Sequence, residues 1–198
     1  MKYYIGLAMA PVSTVESGLA VIDDDKNIIL IDKLFKVKDI QFFFDNYSSL
    51  KNSTICISLP WDNSMLEGKW RILSKPYQQV STNIHIPNRE NWTQRYTKRG
   101  CEYFNELKSL GIDLIRTELY LARQTLNLSS YFKERTPADC KFLQNTLKIE
   151  HGFDEIPSNM MPAAQLEAIV CALIAQKYDT NKEDCKELFM FNGLKTVI

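Results

Sequence analysis

Between Met160 and Ala175 the chain carries one charged residue, Glu167, in a run of apolar and small residues whose helical pattern continues to Tyr178. A helix that is apolar nearly all round has no face to give to water, so it is buried and the rest of the chain is arranged around it. An ionised carboxylate inside such a helix needs a cation or a metal, because desolvating it unpaired costs several kcal/mol. Two readings of Glu167 stay open here. It is a functional ligand, or it is a structural group that pairs with a Lys or Arg or lies on one solvent-facing stripe.

The remaining segments supply the layers. Tyr3 to Ala8, Gly18 to Ile22 and Ile28 to Lys36 read as three strands of an antiparallel meander, the last two joined by the polar turn at 23–27. Val37 to Leu50 spaces Ile40, Phe43, Phe44 and Tyr47 as an amphipathic helix. Thr54 to Leu59 is a short, almost wholly apolar run closed by Pro60, the pattern of a strand covered on both faces. Residues 61–91 lack periodicity and form a long irregular insertion. Arg95 to Leu110 predicts a helix stopped by Gly111, and Ile112 to Leu119 the next strand. Helical segments follow at Ala122 to Leu126 and at Thr136 to Lys148, where Thr136-Pro137-Ala138-Asp139 resembles a capping box. The tail Leu188 to Ile198 is strand-like. Strands in a meander, then strands alternating with helices, predict an α/β fold with a mixed sheet of about five strands and helices on its faces. The length suits a single domain over 1–198.

Charge excludes little beyond a global field: 24 Lys and Arg balance 24 Asp and Glu. A local basic cluster survives in that balance. Arg89, Arg95, Lys98 and Arg99, interleaved with Trp92 and Tyr96, combine positive charge with stacking faces and could hold a nucleic-acid strand. The alternative is a solvated helix face whose aromatics pack on the core. Five scattered cysteines with no C-x-x-C pair fit a reducing, cytoplasmic setting. No apolar run is long enough for a membrane helix, so no membrane partner is expected. Only His85 and His151 are present, and glycine-rich phosphate loops and the G-x-S-x-G elbow are absent. Glu118 ends a strand, where open α/β sheets build their sites, and with Glu167 it could hold Mg²⁺ for phosphodiester cleavage.

Four places carry a resemblance: Ile5-Gly6-Leu7-Ala8 followed by Gly18-Leu19-Ala20-Val21-Ile22; Ile57-Ser58-Leu59-Pro60; Gly111 to Tyr120; and Glu167 to Ala175. In order and spacing the chain resembles ribonuclease-H-like proteins over nearly its full length. More narrowly, it resembles a widespread bacterial family labelled as predicted nucleases. Members read Ile-Gly-Ile-Asp on the first strand, Ile-Asp-Ala-Pro on the fourth, a Glu with an aromatic and Pro on the fifth, and Asp-Ala on the last helix. The resemblance implies metal-assisted hydrolysis with Mg²⁺ or Mn²⁺ and a nucleic-acid substrate. Residue by residue it implies catalytic and metal-ligating roles for Glu118 and Glu167. It also implies a degenerate site, since Ala8 and Ser58 stand where the first and fourth strands carry Asp. Glu16 and Asp62 are the candidate substitutes. The resulting expectation is a degenerate relative of metal-dependent nucleases, with a non-catalytic nucleic-acid- or protein-binding module as the alternative. A sugar-phosphate or nucleotide-handling protein on the same sheet comes last, since the phosphate loops are missing.

Overall fold

The computed structural model describes residues 2–10, 13–58, 92–112, 114–181, 185, 187–191 and 194–197; the side chains of 92–98, 100, 101, 187–191 and 194–196 lie outside that description. The insertion expected at 61–91 falls outside the described residues.

Among the described residues, seven strands form one sheet in the order β3-β2-β1-β4-β5-β7-β6. The meander is β1 (Tyr3–Ala8), β2 (Ser17–Asp23) and β3 (Ile28–Leu34), with both pairings antiparallel. β4 (Thr54–Ile57) lies parallel to β1, and β5 (Leu114–Thr117) parallel to β4. This is the expected mixed sheet of five. The strand-like tail extends it: β6 (Glu187–Phe191) and β7 (Leu194–Val197) form an antiparallel hairpin, and β7 runs parallel to β5. The fifth strand is shorter than its sequence pattern, because Glu118 already serves as the N-cap residue of the next helix.

Among the described residues the helices are α1 (Lys38–Asn46), followed by a 3-10 turn at Ser48–Asn52, α2 (Trp92–Ser109), α3 (Leu119–Thr125), α4 (Pro137–His151) and α5 (Ala163–Thr180). Gly111 ends the α2 segment with φ 73°, its N–H donating to the Lys108 carbonyl at 3.0 Å, as its place in the sequence predicts.

Alternation along β1 divides the core into two layers. Ile5, Leu7 and Met9 join Leu19, Val21, Ile55 and Ile57 under Ile40, Phe43 and Phe44 of α1 and Tyr103 and Leu107 of α2. Tyr4 and Ala8 join Ala20, Ile22 and Cys56 on the opposite face, against α3, α4 and α5. The apolar helix is therefore α5, laid across β1, β2 and β4 and buried from Leu166 to Gln176. Two glycines permit that contact. A Cβ on Gly6 would lie 1.9 Å from the Ala168 carbonyl oxygen, and one on Gly18 would lie 1.8 Å from that of Ala164. With no side chain at either position, the helix backbone comes down onto the strands. Cys56, Cys140 and Cys171 are free thiols buried in this layer.

Candidate functional site

The register brings three of the family positions to one edge. Leu7 is level with Ile57, and Ile57 with Arg116, so Ala8, Ser58 and Thr117 form a row across three parallel strands. Glu118 lies one residue beyond. This is the carboxyl edge, where α/β sheets place their sites.

Each position has a local occupation. Ala8 is buried among apolar side chains of the α5 layer and offers no donor atom. Ser58 is buried; its N–H donates to the Leu7 carbonyl at 2.8 Å, and its Oγ accepts from the Met9 N–H at 3.2 Å. That hydroxyl closes the ends of β1 and β4 on each other. Glu118 is half-buried, with extended backbone (φ −95°, ψ 102°) at the start of α3. Glu16, in front of β2, has its carboxylate 4.0 Å from Lys33 Nζ.

Glu167 is buried, as the apolar run requires, and its partner is Arg135. The guanidinium Nε donates to Oε1 at 2.9 Å and Nη2 donates to Oε2, a fork that meets both carboxylate oxygens. Arg135 is half exposed, so the charge of a buried carboxylate is carried outward to solvent through this pair. Arg135 itself has φ 61°, a left-handed conformation uncommon for a residue with a side chain. Its N–H donates to Asp139 Oδ2 at 2.9 Å, which holds it there.

Asp139 is the hub behind that loop. Arg123 Nη2 and Nη1 reach Oδ1 and Oδ2 at 2.6 and 3.2 Å, and Ser130 Oγ donates to Oδ1 at 2.6 Å. Arg123 also donates from Nε and Nη2 to the Leu128 carbonyl at 3.2 and 3.1 Å. Burial alone would raise the Asp139 carboxyl. The hydrogen bonds from Arg123, Ser130 and the Arg135 N–H outweigh it and hold the group below the usual carboxylate range. The capping box is thus only half formed: Thr136 Oγ1 accepts the Asp139 N–H at 3.4 Å, while the Asp139 carboxylate is spent on Arg123.

Of the basic cluster, Arg99 is turned inward. It is buried, donates from Nη2 to Tyr103 Oη at 3.0 Å and to the Phe35 carbonyl, and lies 4.9 Å from the centre of the Tyr103 ring. Burial pushes the Tyr103 hydroxyl up to about 12. The expectation that Arg99 grips nucleic acid is corrected accordingly: its charge is used within the fold. Trp92, Arg95, Tyr96 and Lys98 belong to the first turns of α2, with side chains outside the described residues, and Arg89 and Asp62 also lie outside them.

Among the described residues the donors at Ala8, Ser58 and Glu167 do not assemble a site for a divalent ion. Hard cations take several carboxylate or carbonyl oxygens, whereas here Ala8 has none, the Ser58 hydroxyl is engaged by a backbone N–H, and both Glu167 oxygens are held by one guanidinium. Among the described residues no group of three or more His, Cys, Asp or Glu side chains comes together as a metal site. Nor is any helix among them long and apolar enough to cross a membrane. Sequence reasoning missed Arg135, Arg123 and Asp139; the one signal was that a lone buried Glu demands a cation from somewhere.

No family model matches the chain, and no curated protein matches it. Solved structures do. Thermus thermophilus RuvC in complex with a Holliday junction substrate aligns at a TM-score of 0.53 and 9% identity, covering 91% of this chain and 97% of that one. A second Thermus thermophilus RuvC structure aligns at 0.49 and 10%, covering 99% of both chains. The likeness to the junction-bound structure, together with the sheet order, establishes the ribonuclease-H-like fold.

Proposed function

We propose that this chain is a degenerate relative of the metal-dependent nucleases, akin to the bacterial predicted-nuclease family, in which the hydrolytic site has become a binding module for nucleic acid. The observation that carries this reading is the Arg135–Glu167 fork. The acidic position on the last helix has its own permanent cation, so its charge no longer calls for a metal ion. Ala8 and Ser58 support the same conclusion from the two central strands, because neither supplies a carboxylate.

The nucleic-acid partner is supported by the fold it shares with a protein seen on a Holliday junction and by the cations and aromatics of the 89–98 segment. Single-stranded, duplex and four-way-junction DNA, and RNA of the same sequences, incubated with Mg²⁺ or Mn²⁺, are expected to be left intact. Metal-dependent cleavage that disappears in Glu118→Ala overturns the proposal and restores a working nuclease.

A further inference from the structure

The loop between α3 and α4 presents two aromatic side chains to water: Tyr131 is fully exposed and Phe132 is 55% exposed. Loose surface segments often do so without consequence, but this one is fixed from behind. Ser130 Oγ donates to Asp139 and accepts the Phe132 N–H at 3.2 Å. Thr136 donates to the Lys133 carbonyl from Oγ1 at 2.7 Å and from N–H at 3.3 Å, and Arg123 holds the Leu128 carbonyl at the loop's start. Holding exposed aromatics on a rigid frame removes most of the ordering cost of using them in binding.

A cavity of about 300 Å³ opens beside them. It is lined by Tyr120, Ser129, Ser130, Phe132, Lys133 and Glu134 together with the Arg123–Asp139 pair. The size is at the small end of ligand clefts, and the lining combines an aromatic face with hydroxyls, the Lys133 ammonium group and the Glu134 carboxylate beside it. Its aromatic, hydroxyl and cationic groups match a nucleotide: a π-face for the base, the Tyr120 and Ser129 hydroxyls for its polar edge, and Lys133 for the phosphate. Its lining begins at Tyr120, two residues after Glu118 in the chain, and the loop that lines it goes on to supply Arg135 to Glu167.

We infer that residues 129–133 and this cavity form a stacking site for single-stranded nucleic acid, with Phe132 and Tyr131 meeting successive bases and Lys133 meeting the phosphate between them. A duplex keeps its bases stacked on each other and cannot use such a site. The inference takes its class of ligand from the proposed function but rests on different residues from the 89–98 segment.

The test is fluorescence anisotropy with a labelled oligo-dT of about 15 nucleotides and a duplex of equal length, using the full chain. Wild type, Tyr131→Ala, Phe132→Ala and Tyr131→Phe are compared, with urea midpoints confirming that each is folded. Preference for the single strand, a loss of about tenfold or more in each alanine variant, and retention in Tyr131→Phe are expected. Oligo-dT binding unchanged in both alanine variants overturns the stacking site and leaves the binding module standing. No binding by wild type overturns both the stacking site and the nucleic-acid partner, while loss of hydrolysis is decided separately by metal titration.

Discussion

Glu167 lies on the most deeply buried helix, and the cost of desolvating it is offset by the two parallel hydrogen bonds of Arg135. Removing the guanidinium leaves a carboxylate uncompensated in the core. Arg135→Ala is therefore expected to destabilise the protein by about 2–3 kcal/mol in urea unfolding, less than for a fully buried pair because Arg135 is half exposed. Replacing both partners by apolar residues, as in Arg135→Met with Glu167→Leu, should recover most of that loss. If the double change is as damaging as the single one, the pair is not the source of the effect. Restoring the missing acid alone should fail as well: Ala8→Asp places a new carboxylate among apolar side chains with Arg135 already committed. The Asp139 hub carries a pH signature. Its carboxyl is held below its unfolded value of about 3.9, so its stabilisation is present above that pH and is lost as pH falls through the lower folded value. In Asp139→Asn the decline of stability below about pH 4 should flatten, read from urea midpoints across acid pH. At this scale the sequence announced the need for a cation at Glu167 but not its source, because Arg135 lies 32 residues away and no periodicity links them. Arg99 looked like a ligand for phosphate because charge is visible in sequence and direction is not; Tyr103, one helical turn on, is what draws it inward.

The elements were legible where hydrophobic periodicity and turn chemistry agree. The meander, the buried fourth strand, the Gly111 stop and the apolar α5 all follow from local pattern. The tail read as strand-like, but its division into a hairpin did not, since its two strands are short and are placed by β7 pairing with β5 and β6 pairing with β7. Helix against sheet is also where glycine matters for a reason unrelated to φ. Gly6→Ala drives a methyl into the Ala168 carbonyl, where only backbone can move, and should cost about 3 kcal/mol or more. Gly111→Ala meets nothing within 4 Å and pays only for its left-handed φ, about 1 kcal/mol. Denaturant unfolding of the two variants separates steric from conformational roles, and equal costs would contradict the close approach of α5.

Across the whole molecule, a sheet of the ribonuclease-H-like order presents a carboxyl edge, and under the proposed function the acidic positions of that fold have taken other occupations here. Ala8 packs, Ser58 closes two strand ends, and Glu167 faces a guanidinium. Topology could be read from pattern while the site could not, because a sheet needs apolar alternation, whereas a metal needs particular oxygens in particular places. The most direct test is calorimetric titration of Mn²⁺ and Mg²⁺ into wild type and into Glu118→Ala. The account predicts no saturable binding in either. Stoichiometric binding to the wild type that is lost in Glu118→Ala would contradict it and return the carboxyl edge to a metal centre.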